Sequence, residues 1–260
     1  MKKILFSLIC LAVSSSMAGA VELGNPFYIS AKGDLTSTTE LSFHKSHTGK
    51  DTLGNDFRVR DKYFNQRLEY GISPKVAVVG NIANTWQRNK DSNTLATGKD
   101  YHNVYWSVGA LYDFYNANDA HVQAELRYLQ QETQHFGGAY KAFNANAKAG
   151  YDFGYFLPYL GGEVELPIAQ RKDADNDKKY GAYAGIYKAF ADIVSADMKV
   201  HYGYNDFSKS RQLNGRVDLT FFITENMALS GFFDYAFFDR AKYNAQTDGH
   251  TIGALFRIKF

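Results

Sequence analysis

Alternation of apolar and polar side chains is the feature that most constrains what this chain can fold into. Within residues 101–115, every second residue from Val104 to Phe114 is apolar, and polar or small residues such as Ser107 and Asp113 lie between them. Residues 120–131 repeat this pattern after a turn. Because successive side chains of a strand point to opposite faces, each segment has one apolar and one polar face. The two segments predict a β-hairpin, and period two dominates the following segments as well.

The same alternation predicts twelve strands. Connections between them alternate between short turns and longer polar loops, which places both ends of the strand array at the short-turn end. Because proline has no amide proton, Pro158 and Pro167 restrict the fully paired part of the seventh strand to 159–166. A bulge is expected near 61–63 and a short extra strand at 27–32, so ten to fourteen strands are compatible with the sequence. The predicted strands are 36–47, 57–72, 75–87, 101–115, 120–131, 140–152, 157–168, 179–190, 196–204, 213–223, 227–238 and 250–260.

The composition indicates where the apolar face points. The chain contains 20 Phe and 19 Tyr, yet its mean hydropathy is −0.37 and no long apolar run follows residue 20. A lipid-facing barrel has this composition because only half of each strand contacts lipid. We therefore predict an all-β fold, a transmembrane antiparallel up-and-down β-barrel of about twelve strands. A soluble sandwich or lipocalin-like barrel is the alternative, and it would turn the same apolar face inward.

The first twenty residues have the organisation of a secretory signal peptide. Lys2 and Lys3 precede an apolar stretch at 4–13, and Ala18-Gly19-Ala20 follows as a cleavage site. The apolar stretch is shorter than the ~20 residues of a membrane-spanning helix. We predict a signal peptide at 1–20 and a barrel domain at 21–260. The single cysteine, Cys10, lies in the signal, so the exported domain would have no disulfide.

The last ten residues form an alternating strand that ends on an aromatic residue. Phe256, Ile258 and Phe260 share its apolar face, whereas Arg257 and Lys259 share the other. This ending resembles the assembly signal of Gram-negative outer-membrane β-barrels. The resemblance implies localisation in the cell outer membrane, insertion by the barrel-assembly machinery, and contact with outer-membrane lipid and lipopolysaccharide.

Charge distribution predicts a polar interior. Without Lys2 and Lys3, the 29 basic residues fall to 27 and equal the 27 acidic ones, so nothing favours nucleic-acid binding. An unpaired charge on the lipid face costs ~2–4 kcal/mol at the midplane, so the charged phase of each strand is expected to point inward. The predicted lumen-lining residues, seven of each sign, are Arg67, Glu69, Glu125, Arg127, Lys148, Glu163, Glu165, Asp197, Lys199, Arg216, Asp218, Asp234, Arg257 and Lys259.

A charge-balanced lumen predicts a passive channel for small polar or charged solutes. The alternative is a closed barrel whose charges pair across a narrow interior and which acts as a surface adhesin or structural protein. Size and strand number resemble the small monomeric substrate-specific porins, such as those that take up oligogalacturonates or sialic acid. That resemblance implies an arginine-lined track for acidic sugars, whereas here Glu163, Glu165 and Asp197 offset the basic side chains.

A lipid hydrolase is the third hypothesis, because the outer-membrane phospholipase is similar in size and strand number. Such an enzyme needs a Ser–His pair at the outer rim. No local Ser/His pattern matches that family. The candidates near the outer end or in an outer loop are His44, His47, His102, His135 and His250, with Ser46, Ser92 and Ser107 as companions. The sequence also lacks a nucleophile elbow, a zinc-binding helix and a phosphate loop. We therefore predict no enzymatic activity, no catalytic residues, no metal and no cofactor.

Overall fold

A computed structural model describes residues 23–48, 57–91, 101–133, 139–169, 178–190, 193–206, 209–240 and 246–260. Twelve antiparallel strands in these ranges close into one barrel, in which each strand pairs with its chain neighbours and β1 pairs with β12. This confirms the predicted twelve-stranded up-and-down barrel; the predicted signal peptide 1–20 lies outside the described residues. The strands are β1 (Leu35–Thr48), β2 (Phe57–Ser73), β3 (Val76–Asp91), β4 (Tyr101–Ala117), β5 (Ala120–Thr133), β6 (Ala139–Tyr151), β7 (Leu157–Ala169), β8 (Lys179–Phe190), β9 (Val194–Asn205), β10 (Arg211–Thr224), β11 (Met227–Arg240) and β12 (Gln246–Lys259).

Two local expectations were wrong or incomplete. The register of β2 against β1 and β3 runs without a shift past 61–63, so the predicted bulge is absent. The extra strand at 27–32 does not form, and a single bridge between Lys32 and Gly71 stands in its place. In β7, Pro158 has a register partner only on β8 and Pro167 only on β6. Each missing amide proton therefore falls where one side of the strand is already unpaired.

The two ends of the barrel differ in their connections. The strands are joined at one end by 74–75, 118–119, 152–156, 191–193 and 225–226, and at the other by the generally longer stretches 49–56, 92–100, 134–138, 170–178, 206–210 and 241–245. We call these the short-turn end and the long-loop end. Asn118 and Asp119 both have positive φ, at 51° and 65°, as the tightest antiparallel hairpins require. Backbone bonds between Leu35 and Phe260 close the barrel at the short-turn end.

The outward face is largely apolar and exposed. Leu41, Leu126 and Phe221, for example, lie on different strands and are each at least half exposed. Polar clusters interrupt this face in places, one of them on β1 and β2. Thr39 donates to the side-chain oxygen of Gln66 at 2.7 Å, and the Gln66 amide donates to Ser37 at 2.7 Å, so the three side chains satisfy one another. Among the described residues, none forms a helix long and apolar enough to cross a membrane.

Residues 23–34, which we call the N-terminal segment, fold into the barrel at the short-turn end. Leu23 packs against inward-facing Phe222 and Ala228, while Phe27 packs against Leu157, Tyr159 and Tyr187. A third cluster joins Ile29 to Ala77, Val79 and Leu111. Since these partners belong to strands on opposite sides of the barrel, the segment crosses the interior. The alternation of the strands gave no indication of this arrangement.

Candidate channel interior

Polar side chains of the barrel wall hold the backbone of the N-terminal segment. The Ser30 amide donates to Glu69 Oε1 at 2.7 Å, and Gln123 Nε2 donates to the Phe27 carbonyl at 3.2 Å. Lys148 Nζ donates to the carbonyl of Pro26. These contacts satisfy backbone groups that would otherwise be buried without partners. The three wall residues lie on β2, β5 and β6, so these hydrogen bonds attach the crossing segment to that part of the barrel wall.

Aromatic contacts and a buried phenol add to this attachment. The Phe27 ring stacks on His121 with centroids 5.2 Å apart and meets the Tyr159 ring edge-on at 6.2 Å. The Tyr28 hydroxyl lies 2.8 Å from Thr36 Oγ1. Burial raises the pKa of Tyr28 above its ordinary value of 10.0, so the phenol is neutral at neutral pH. Phe27 and Tyr28 therefore fill the short-turn end without adding charge.

Next to the segment lies a polar cavity of about 380 Å³ enclosed by the barrel wall. Asn25, Pro26 and Tyr28 contribute to its lining from the N-terminal segment. The other lining residues include five basic and five acidic side chains, so the cavity has no formal net charge. The charged residues are Arg67, Lys148, Lys199, Arg216, Arg257, Glu40, Glu69, Glu125, Asp197 and Asp218. Nine of these ten belong to the set proposed from sequence, and Glu40 was missed.

Glu125 lies at the centre of an ionic cluster in the interior. Its two carboxylate oxygens each accept a bond of 3.1 Å from Arg67, in the parallel geometry that favours a guanidinium–carboxylate pair. Arg127 Nε lies 3.0 Å from the same carboxylate, and Arg67 also reaches Glu69 at 3.3 Å. Two positive and two negative side chains thus neutralise each other on one wall, which limits the cost of removing them from bulk water.

A second cluster lies on the opposite wall. Arg216 donates to both carboxylate oxygens of Asp218 at 2.7 and 2.8 Å, and its guanidinium lies 3.8 Å from the centroid of the Phe232 ring. Asp234 is the register partner of Arg216 on β11. Asp197 accepts from the Tyr159 hydroxyl at 2.8 Å. Opposed walls of paired charges can orient dipolar solutes without a strong preference for either sign.

The remaining sequence-proposed residues lie apart from this cavity. Glu163 Oε1 is 3.0 Å from His201 Nε2, and Glu165 pairs with Lys179 at 2.7 Å and accepts from Tyr140. Arg127 borders a separate pocket on the extended wall of β2–β5. In the part of the chain that the structure describes, no group of three or more His, Cys, Asp or Glu side chains could hold a metal ion.

That separate pocket has a different chemistry. It encloses about 270 Å³ and is bordered by four carboxamides, two phenols, a hydroxyl and one guanidinium. Asn65 borders both this pocket and the charged cavity, which makes the two spaces neighbours. The lining residues are Tyr63, Asn65, Asn81, Thr85, Asn103, Tyr105, Arg127 and Gln131. Among them only Arg127 was proposed from sequence, since uncharged residues on four strands share no linear motif.

Comparison with known proteins shows which solved structures have a similar fold. The sequence matches no protein-family model and none of the curated protein sequences. An outer membrane channel from Pseudomonas putida has a similar structure, with a TM-score of 0.72, 13% identity, and coverage of 91% of this chain and 98% of that chain. The translocator domain of the autotransporter NalP from Neisseria meningitidis has a TM-score of 0.56 at 8% identity, with 91% and 92% coverage. The NanC porin has a TM-score of 0.51 at 10% identity, with 82% and 98% coverage.

This chain has the fold of the outer-membrane β-barrels. Both porin and autotransporter barrels are among its structural neighbours, which agrees with the class suggested by the last strand. At these identities the likeness concerns the fold alone, so the function has to be inferred from the chemistry of the interior.

Proposed function

We propose that the protein is a passive outer-membrane channel for small polar solutes, with its interior narrowed at the short-turn end by the N-terminal segment. The observation that carries this proposal is the cavity of about 380 Å³ lined by five basic and five acidic side chains. A barrel whose only task is to be stable gains little from so many ionic groups, because apolar replacements of buried ion pairs are often as stable. Water and small solutes, by contrast, need a polar path.

The neighbouring folds agree with this proposal. The Pseudomonas putida protein is described as an outer membrane channel, and its chain aligns over almost its full length. Short turns of barrels in this membrane face the periplasm, so the N-terminal segment would narrow the periplasmic side. The outward apolar face would contact outer-membrane lipid and, in the outer leaflet, lipopolysaccharide.

Planar-bilayer recording of the refolded full chain tests the channel. We expect discrete current steps in KCl, with a reversal potential near zero under a salt gradient because the charges of the cavity balance. A slower electrophoretic mobility after heating would show that the unheated sample was folded. Folded protein that produces no current steps would refute the channel proposal.

A closed barrel that acts through its loops, as an adhesin or structural protein, is the second candidate. The observation in its favour is the apolar packing of Leu23, Phe27 and Ile29 at the short-turn end. The same recordings separate the two candidates, since a closed barrel gives no current. Binding of intact cells to a surface coated with the protein would then support the adhesin.

We also propose that Phe256, Ile258 and Phe260 form the signal for the barrel-assembly machinery. Replacing Phe260 by Ala retains both backbone bonds to Leu35 and changes only the side chain, which is 70% exposed. We therefore expect F260A to lower the amount of folded barrel in the outer-membrane fraction without changing its unfolding in detergent. Phe43→Ala removes a similarly exposed outward aromatic from β1 and serves as the control. Equal outer-membrane levels of F260A and F43A would contradict the assignment.

A further inference from the structure

We infer that the pocket on β2–β5 is a binding subsite for a neutral polyhydroxylated solute of monosaccharide size. This inference rests on the proposed channel function and names the class of solute that the channel would select. Two observations support it: the chemistry of the eight lining side chains, and two buried acceptor atoms among them that have no described partner.

The strand register assembles the pocket from rows of inward-facing side chains. Tyr63, Thr85 and Asn103 are successive partners across β2, β3 and β4. In the next row, Asn65, Tyr105 and Gln131 flank the small, buried Ala83. The strands hold these groups in fixed positions, and a site built on strands loses less free energy to ordering than one built on loops.

Two acceptors in the pocket point to a solute that donates hydrogen bonds. The side-chain oxygens of Asn65 and Asn103 are buried, and neither has a hydrogen-bond partner among the described residues. A buried acceptor left unpaired costs free energy that a ligand hydroxyl can recover. A carboxylate could not recover it, because ionised oxygens only accept hydrogen bonds.

The single charge at the pocket is already neutralised. Arg127 Nε lies 3.0 Å from Glu125, and its Nη2 donates to Asn144 at 3.2 Å. In the orientation of the Asn81 amide that satisfies both of its ends, Asn81 oxygen accepts from Arg127 Nη1 at 3.0 Å. Both terminal nitrogens of the guanidinium therefore bond protein groups. Nε has no hydrogen-bond partner among the described residues, but it is buried against the Glu125 carboxylate, whose negative charge disfavours an acidic ligand there. Since no carboxylate lines the pocket, a cationic ligand has no counter-ion there either.

Volume and aromatic content narrow the class further. At ~30 Å³ per water molecule, about 270 Å³ corresponds to roughly nine waters, which suits one monosaccharide unit or a small polyol. Tyr63 and Tyr105 supply rings with an apolar body, against which the carbon skeleton of a sugar can pack. Carboxamides with both donor and acceptor atoms suit hydroxyl groups, which also have both.

Ligand-detected NMR on the detergent-folded full chain tests the inference with three hexose probes of similar size and different charge: neutral glucose, cationic glucosamine and anionic glucuronate. We expect glucose to bind at least about tenfold more tightly than either charged probe. The N65L/N103L variant removes both acceptors and keeps the number of side-chain heavy atoms and their branching, and each lost bond should weaken glucose binding about fivefold. N214L is the matched control, because Asn214 also has a buried side-chain oxygen without a described partner but lies on β10, outside the pocket.

Several results would overturn the inference. They are equal affinities of wild type and N65L/N103L for glucose, equal losses in N65L/N103L and N214L, or glucuronate binding as tight as glucose binding. If the double variant does not fold, N103L alone still predicts the fivefold loss. Failure of the channel proposal is distinguishable, since folded protein would then bind glucose but give no current in bilayers; current without glucose binding would reject the subsite alone.

Discussion

A variant that lacks residues 23–30 is expected to conduct several times more current than the wild type. Deletion removes Leu23, Phe27 and Ile29 from the interior and leaves inward-facing Phe222 and Leu111 exposed to the lumen. The cross-section at the short-turn end widens as a result. Single-channel steps in planar bilayers measure this change directly, and the refolded deletion variant should still show heat-dependent mobility because the barrel closure at Leu35 and Phe260 is intact.

Gly71 gives an independent way to displace the same segment. A Cβ atom at Gly71 would lie 1.9 Å from the Ala31 carbonyl oxygen and 2.4 Å from that of Ser30, and backbone atoms cannot move aside alone. We expect Gly71→Ala to reproduce much of the current increase of the deletion. Gly231→Ala is the control, because a Cβ there meets no atom within 4 Å. Equal single-channel steps in G71A, the deletion and the wild type would contradict the narrowing role of the segment.

A disulfide can fix the segment in place as a converse test. A Cβ at Gly24 would lie 2.7 Å from Ser195 Oγ, a separation close to that which a disulfide between these positions requires. Cys10 is the only natural cysteine and lies in the predicted signal peptide, so Gly24→Cys with Ser195→Cys should form one bridge. The oxidised double variant should conduct no more than the wild type, and reducing agent should not lower its current.

The strand pattern could be predicted because it is a local property. Alternation fixes which side chains share a face, and the cost of charge in lipid then assigns the charged face to the interior. This rule predicts that Arg67, Glu125 and Arg216 face the interior, and all three line the charged cavity. Strand ends were less accurate, as in β3, which continues to Asp91 rather than stopping at 87.

The narrowing of the interior could not be predicted in the same way. Residues 23–34 contain apolar side chains without a clear period, so their only local signal was the weak one for an extra strand at 27–32. Paired aromatics such as Phe221-Phe222 and Phe232-Phe233 also give no local indication of which ring faces inward. Their placement is decided by the packing partner, here Leu23 for Phe222, and that contact spans most of the chain.

The carboxamide pocket depends on register rather than on pattern. Asn65, Asn81 and Asn103 lie on three strands and meet only because each hairpin sets the next strand at one particular offset. A shift by one residue would turn each of them to the outward face. Alternation within one strand predicts which of its side chains face inward. It does not give the register between strands, so it cannot show which inward-facing side chains lie together in one pocket.

Replacing Glu125 by Gln is the second change with a large expected effect. The carboxylate pairs with Arg67 through two bonds of 3.1 Å and lies 3.0 Å from Arg127, so its loss leaves one guanidinium with only Glu69 and the other without a carboxylate. The charged cavity then has five basic and four acidic groups. We expect anion selectivity, seen as a shift of the reversal potential toward the chloride equilibrium potential under a KCl gradient.

The same substitution should destabilise the barrel. Breaking one member of a buried ionic cluster typically costs about 3–5 kcal/mol, and the cost here is expected at the lower end because the cavity borders the cluster. Asp206→Asn is the matched control: a hydrogen bond from Lys209 at 2.8 Å lowers the pKa of Asp206, but this pair is exposed to solvent. Exposed pairs contribute little to stability, so D206N should unfold in denaturant as the wild type does. Unchanged selectivity in folded E125Q would show that the cluster does not border the ion path, whereas unchanged stability would show that Arg67 and Arg127 are sufficiently hydrated without their partner.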